Sequence, residues 1–231
     1  MSAETQKKAA AEAALKFVES GMKIGLGTGS TANHFTQALA KRVKAGLAVT
    51  CVPTSKATHE LARSLGIMLT TLEKDPYINY TFDGADEFDP QFRLIKGGGG
   101  ALLAEKIVAT SSKYVVTLAD ASKQVKKLGK FPLPVEITAF GVKATAWKIE
   151  KTFAHLKMQP KMSLRVKDGK PFRTDVGNCI IDCACGAIDD PERLEVMLNN
   201  IPGVVNNGLF IGISGIIMLA TDKGVQELTR E

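Results

Sequence analysis

The sequence has no apolar stretch near the roughly 20 residues that a bilayer-spanning helix needs, so a membrane protein is not expected. Its N-terminal stretch carries the acidic Glu4 and lacks the charged-then-apolar layout of an export leader. The net charge is +6, yet no run of five basic residues occurs. The basic groups are short, such as Lys41-Arg42 with Lys44, and Lys123 with Lys126, Lys127 and Lys130. Such clusters are solvated helix faces, which argues against a nucleic-acid partner and leaves room for an anionic small molecule. The three histidines, His34, His59 and His155, form no HxH or HxxxH pair, and no CxxC pair exists. A metal centre is therefore not expected. Cys179, Cys183 and Cys185 share one face of a strand with Ile181 and read, like Cys51, as small buried side chains. Unpaired thiols and no leader fit a reducing, cytoplasmic location. No G-x-S-x-G nucleophile elbow is present either.

What the chain does have is core material: 45% of its 231 residues are hydrophobic, enough for one large domain or two small ones. Helical periodicity is expected over 5–19, 31–44, 56–64 and 101–110, and strand-like runs over 22–26, 48–52, 67–72, 78–82, 92–95 and 114–118. Strands alternating with helices predict an α/β domain with a mostly parallel, Rossmann-like sheet covered on both faces. The pattern changes at Phe131-Pro132-Leu133-Pro134, where two prolines mark a boundary or an edge strand. Strand 135–138, helix 141–155, strands 161–166 and 178–184, helix 191–199 and strand 204–212 follow. That order is a ferredoxin-like α+β arrangement. The tail, 216–220 and 224–229, is expected to return to the first domain. The expected organisation is 1–131 plus 214–231 as a catalytic domain, with 132–213 inserted.

Three segments can carry chemistry. Gly25-Leu26-Gly27-Thr28-Gly29-Ser30-Thr31 joins a strand to a helix; its glycines, hydroxyls and helix start outline a phosphate cradle, or else a capped tight turn. Its sixth position is serine, so it is not the dinucleotide fingerprint. Asp83-Gly84-Ala85-Asp86-Glu87-Phe88-Asp89 follows a strand, where open α/β sheets gather ligands; Asp83 and Asp86 could both turn into a crevice, or the segment is an acidic surface turn. Lys96-Gly97-Gly98-Gly99-Gly100 precedes a helix bearing Glu105. Ordering four glycines is costly, which makes sense where bare amides line a site. Glu105 alone could simply favour a helix N-terminus. Lys123, after Asp120-Ala121-Ser122, lies at another strand end. Lys7 shares the stripe of Ala10, Ala14 and Val18, and could snorkel to solvent or reach a phosphate. This inventory of carboxylates, lysines and anion-binding glycines suits proton shuttling on a phosphorylated sugar.

Together, Gly27-Thr28-Gly29-Ser30-Thr31, Asp83-Gly84-Ala85-Asp86-Glu87, Lys96-Gly97-Gly98-Gly99 and Asp120-Ala121-Ser122-Lys123 closely resemble the A-type ribose-5-phosphate isomerase family. So do Lys130-Phe131-Pro132-Leu133-Pro134-Val135-Glu136, Ile201-Pro202-Gly203-Val204-Val205 and Gly208-Leu209-Phe210. The family usually has Asn between Asp175 and Gly177, where this chain has Val176. The resemblance implies a metal-free, cofactor-free aldose–ketose isomerase acting on a phosphorylated pentose, as a homodimer or dimer of dimers. It implies Glu105 as the base moving a proton between C1 and C2. Asp83, Asp86 and Lys96 would open the ring, shuttle hydroxyl protons and stabilise the enediolate. Thr28, Gly29, Ser30, Thr31, Gly84, Ala85, Gly97, Gly98, Gly99, Lys123 and Lys7 would contact substrate or phosphate. Two other classes share features with this pattern: a sugar-phosphate-sensing regulator, which needs a helix-turn-helix and is not expected where about twenty residues, enough for a single helix, precede the first strand, and a coenzyme A transferase relative using a covalent glutamate.

Overall fold

Ser2 opens the first helix by accepting a hydrogen bond from the Thr5 amide, a serine N-cap of the ordinary kind. The protein is described by a computed structural model over residues 1–230; Glu231, the last residue of the expected catalytic domain, lies outside the described residues. In chain order the first elements are α1 (Ala3–Ala14), β1 (Lys23–Leu26), α2 (Ser30–Lys44), β2 (Thr50–Pro53), α3 (Lys56–Ser64), β3 (Ile78–Gly84), β4 (Glu87–Phe88), β5 (Leu94–Ile95), α4 (Leu102–Thr110) and β6 (Ser112–Asp120). Then come β7 (Leu133–Ile137), α5 (Val142–His155), β8 (Lys161–Leu164), β9 (Val166–Lys167), β10 (Lys170–Pro171), β11 (Cys179–Ala184), α6 (Pro191–Asn199), β12 (Val204–Asn207), β13 (Leu209–Phe210), β14 (Ile216–Thr221) and β15 (Gly224–Thr229). Two compact units result. The first holds Met1–Ala85, Ala104–Gln124 and the stretch from Gly212 onward, and the second Asp86–Leu103 and Val125–Ile211.

In the first unit a six-stranded sheet runs in the order β15-β14-β6-β3-β1-β2. All neighbours are parallel except β14 and β15, which form a hairpin. The α/β expectation holds, and it holds because the central strands bury apolar side chains: Ile24, Leu26, Phe82, Val116 and Leu118 are all fully enclosed. Phe35 of α2 stacks on Phe82 with ring centroids 4.2 Å apart, and each such buried ring contributes about 1.5–3 kcal/mol. Ala10, Ala11 and Ala14 are buried without remainder, so α1 presents small side chains to the core. Gly25 is required by packing: a Cβ there would sit 2.6 Å from Val108 Cγ1 and 2.0 Å from Thr81 Oγ1, so α4 lies directly over β1 and β3.

The second unit carries an antiparallel sheet in the order β12-β7-β11-β8, with α5 and α6 in the connections. This is the ferredoxin-like arrangement expected. Ile149 and Phe153 of α5 and Leu194 and Leu198 of α6 form one core with Val135, Ile137, Cys179, Ile181 and Cys183. The cysteines thus face inward beside Ile181, and burial pushes the Cys185 thiol, like that of Cys51 in the first unit, up to about 12.

Some expectations need correction. The strand expected at 67–72 is reduced to a single bridge between Leu69 and Cys51, because β2, its partner, is short and Met68 faces solvent. The helix expected to Glu19 ends at Ala14 and tightens into a 3₁₀ turn over Leu15–Phe17. The proline-bearing strand is not at an edge: β7 lies between β12 and β11. Pro134 is tolerated because its carbonyl side faces the point where β12 has ended, and Gly208 N–H donates to that carbonyl at 2.8 Å. The run expected at 204–212 breaks at Gly208, and β13 joins β5 and β4 in a separate three-stranded sheet. Among the described residues no helix is long and apolar enough to cross a membrane.

Candidate active site

In the first unit the site begins where β1 ends. The Gly27 amide donates to Phe82 O of β3 at 2.9 Å, so the loop leaves the sheet locked to its neighbour. The next amide, Thr28 N–H, donates to Asp83 Oδ1 at 3.1 Å, and Gly84 N–H reaches the same oxygen at 2.7 Å. Asp83 is 4% exposed, a buried carboxylate whose orientation two backbone amides fix. Gly27 makes this approach possible, since a Cβ there would lie 2.1 Å from Asp83 Oδ1 and 2.6 Å from its Cα.

The Thr28 hydroxyl turns the other way, into a cluster not anticipated from the sequence. It lies 2.7 Å from Thr54 Oγ1, 2.9 Å from Ser55 Oγ and 3.2 Å from Thr58 Oγ1, and Thr58 donates to Gly27 O at 2.9 Å. Ser55 also caps α3 by accepting from the Thr58 amide. A Thr-Ser pair just after β2, three residues before another Thr, was the available signal. Gly29 has φ of 107° where α2 begins, and Ser30 and Thr31 form the first residues of that 15-residue helix, with no acidic residue in its first turn. A bare helix start of this kind attracts anions. Thr31 lies beside Gly84, where an added Cβ would be 3.9 Å from Thr31 Cβ.

Glu105 stands in the first turn of α4 and is 3% exposed. Its placement follows from the sheet. Ser112, just after α4, pairs with Ile78 at the start of β3, so the helix ends at the amino edge of the sheet and begins at the carboxyl edge. Glu105 precedes Val108 by one turn on the face packed over Gly25, which sets it at the same edge as Asp83 and the Gly27–Thr31 loop. Lys123 ends the 3₁₀ turn Ala121–Lys123 after β6, whose start Asp120 caps through Ser122 N–H. Gln6 connects this turn to α1: its side chain accepts from Ala121 N–H at 3.1 Å and donates to Asp222 at 3.0 Å. Lys7 follows Gln6 and pairs with Glu4 at 3.6 Å. Glu4 is largely exposed, and its carboxyl is held below the usual range first by its hydrogen bond to His34 and then by Lys7.

In the second unit Asp86 Oδ2 accepts from Gly98 N–H at 2.8 Å, which fixes the acid to the glycine run. Lys96 is 5% exposed and sits over the Phe210 ring at 5.5 Å. The neighbouring acids are structural. Glu87 accepts from the amides of Gly129 and Phe131, and Asp89 closes the β4–β5 turn by accepting from Gln91 N–H, Arg93 N–H and Arg93 Nε. Ala85 and Gly99 follow Asp83-Gly84 and Gly97-Gly98 in these two loops. Arg165, which the sequence did not single out, donates to the carbonyls of Gly97 and Gly98 at 2.9 and 3.2 Å. No group of three or more His, Cys, Asp or Glu placed to hold a metal ion occurs among the described residues.

The family model described as ribose 5-phosphate isomerase A (phosphoriboisomerase A) matches residues 50–224. The chain belongs to the ribose 5-phosphate isomerase A family. It is 57% identical to ribose-5-phosphate isomerase A of Parvibaculum lavamentivorans, over 97% of each chain, and 50% identical to that of Rhodopseudomonas palustris over 100% of each. Among solved structures it is similar to a D-ribose-5-phosphate isomerase in complex with phospho-erythronic acid, at 39% identity, a TM-score of 0.93 and full coverage of both chains. The ribose 5-phosphate isomerase of Plasmodium falciparum gives 36% identity and a TM-score of 0.95 over 99% of each chain. The α/β fold with its mostly parallel sheet is that of these structures, and the enzyme class is isomerase.

Proposed function

We propose that this protein interconverts D-ribose 5-phosphate and D-ribulose 5-phosphate by proton transfer through an enediolate, without a metal or other cofactor. Asp83 carries the reading: a nearly inaccessible carboxylate, held by the Thr28 and Gly84 amides at the carboxyl edge where Glu105 also stands. Burying two carboxylates beside an anion-binding loop is costly for folding alone and makes sense for chemistry. Further support comes from the relative that binds phospho-erythronic acid, a phosphorylated sugar acid.

In this scheme Glu105 removes the C2 proton of the open-chain aldose and returns it at C1, one carboxylate reaching both carbons from one face. Charge then develops on the substrate oxygens. Lys96 and the amides of Gly97, Gly98 and Gly99 stabilise it as fixed donors that need no reorganisation. Asp83 and Asp86 move hydroxyl protons and assist ring opening. Thr28, Gly29, Ser30 and Thr31, with Gly84, Ala85, Lys123 and Lys7, hold the rest of the substrate, and phosphate binding away from the reacting carbons supplies orientation. The enzyme acts in the cytoplasm, in the pentose phosphate pathway, as a homodimer or dimer of dimers, with neither nucleic acid nor membrane as partner. A regulatory role or acyl transfer is not favoured by the family match.

The test is isomerisation of ribose 5-phosphate in heavy water containing EDTA. Wild-type protein should form ribulose 5-phosphate and carry deuterium into the carbon-bound position. Glu105→Gln should still bind substrate but lose about 10²–10⁴ in rate and not exchange, while Glu105→Asp, its carboxylate withdrawn by about 1 Å, should lose on the order of 10². Wild-type exchange in Glu105→Gln would move the base elsewhere, and loss of wild-type activity in EDTA would overturn the metal-free scheme.

A further inference from the structure

The glycine run of the second unit is not left to choose its own conformation. Arg165 lies between β8 and β9, its amide donating to Ile180 O of β11 and its carbonyl accepting from Phe172 N–H. The guanidinium is paired with Asp182 by two contacts, Nε to Oδ2 at 2.9 Å and Nη2 to Oδ1 at 2.5 Å. It also stacks over the Phe172 ring, 5.8 Å from the centroid. The remaining nitrogen, Nη1, donates to the carbonyls of Gly97 and Gly98. Phe172 in turn closes the far end of the run, since a Cβ on Gly100 would lie 2.5 Å from its ring.

The consequence follows from peptide geometry. In a trans peptide the N–H points opposite to the C=O. Gly97 C=O and Gly98 N–H belong to one such unit, and Gly98 C=O and Gly99 N–H to the next. Drawing both carbonyls to Arg165 therefore turns both amides away from it. The Gly98 amide meets Asp86 on that opposite side, at 2.8 Å. One peptide plane is thus gripped at both ends, by Arg165 together with the Gly100 amide, which donates to Gly97 O at 3.0 Å, and by Asp86, and the Gly99 amide is aimed in the same sense.

We infer that Arg165, braced by Asp182 and Phe172, is a positioning residue for the reaction: it sets the donor direction of the Gly98 and Gly99 amides and the orientation of Asp86. This rests on the proposed role of the glycine run and Asp86 in isomerisation. Guanidinium geometry matters, because one group must serve a carboxylate and two carbonyls at once; a lysine offers a point charge instead.

The experiment uses the full chain with Arg165→Met, Arg165→Lys and the paired Arg165→Met/Asp182→Leu, which removes both charges so that none is stranded. With ribose 5-phosphate, kcat is expected to fall between about 10- and 100-fold in all three, the loss expected from misplacing catalytic groups by up to about 1 Å, with KM changing less than kcat. Added guanidinium ion at low, non-denaturing concentration should restore part of kcat in Arg165→Met. Amide exchange at Gly98 and Gly99, measured without substrate, should accelerate. A paired variant that keeps its Tm and wild-type kcat overturns the inference, as does a loss confined to KM. A wild-type protein inactive on ribose 5-phosphate would overturn the functional reading instead, and unchanged exchange at the two amides would then refute the hold on the loop as well.

Discussion

Gly27→Ala is the most informative single methyl that can be added to this protein. The new Cβ would lie 2.1 Å from Asp83 Oδ1, 2.2 Å from its Cγ and 2.6 Å from its Cα. The carboxylate could rotate aside, but the Cα belongs to β3, which is paired on both sides, by β1 and by β6. Carbon atoms not bonded to one another approach comfortably at about 3.5–4.0 Å, so loop and strand must separate by roughly 1 Å. That shift would break the amide contacts from Thr28 and Gly84 that orient Asp83. Overpacking of this kind costs about 1–3 kcal/mol, or roughly 2–12 °C in Tm for a chain of this size. On the proposed role of Asp83, misplacing it by about 1 Å costs on the order of 10² in rate. The control is Gly84→Ala, where the nearest atoms to a new Cβ are 3.9 and 4.0 Å away and Tm should be nearly unchanged. Isomerisation rates and thermal melts of both variants decide the matter. If Gly27→Ala keeps its Tm and its kcat within a factor of about two, the close approach and the amide contacts it permits are not what aligns Asp83.

Two further outcomes test separate parts of the protein. On the proposed phosphate role of Lys7, Lys7→Ala should raise KM for ribose 5-phosphate several-fold with kcat little changed, since such a contact serves ground and transition states alike; its Tm should barely move, because the Glu4 partner is largely exposed, and a selective fall in kcat would refute the assignment. Burial holds the Glu136 carboxyl above its ordinary value, against hydrogen bonds from Asn178, Thr174 and the Leu103 amide. The folded protein then binds this proton more tightly than the unfolded chain. The associated stability is present below the unfolded pKa and is lost as pH rises through the folded one. Glu136→Gln cannot ionise, so its Tm relative to wild type should climb from the ordinary carboxylate range toward neutrality; a flat difference would show that the carboxyl titrates normally.

Much of the architecture was legible because periodicity and punctuation agreed. The helix at 56–64 was read with its true ends, since Ser55 caps it and Gly66 stops it. The run at 67–72 misled because apolar residues mark burial without supplying a strand to pair with, and Met68 is left exposed. Pro134 misled because a missing amide excludes a ladder position only where a partner strand is still present to accept from it. In the proposed site, Asp83, Asp86 and the glycine runs stood out as candidates because they are local and unusual in composition. Gln6 and Arg165 did not, because each acts through a contact far away in sequence with a residue type that is ordinary on any surface, and the Thr54, Ser55 and Thr58 hydroxyls offered only the faint signal of their spacing.

The position of β14 has a consequence for how this protein is made. β6 leaves the ribosome early and pairs with β3, but its other edge waits for β14, which cannot emerge until everything from Ala121 to Gly215 has been translated. At about 5–20 residues per second, that interval is on the order of ten seconds. Throughout it a nascent chain carries an unpaired strand edge bearing Val115, Val116 and Leu118. Slow translation or truncation upstream of Ile216 therefore exposes an aggregation-prone template, and the chaperone demand of this chain should fall late in synthesis, ending when the last hairpin closes the sheet.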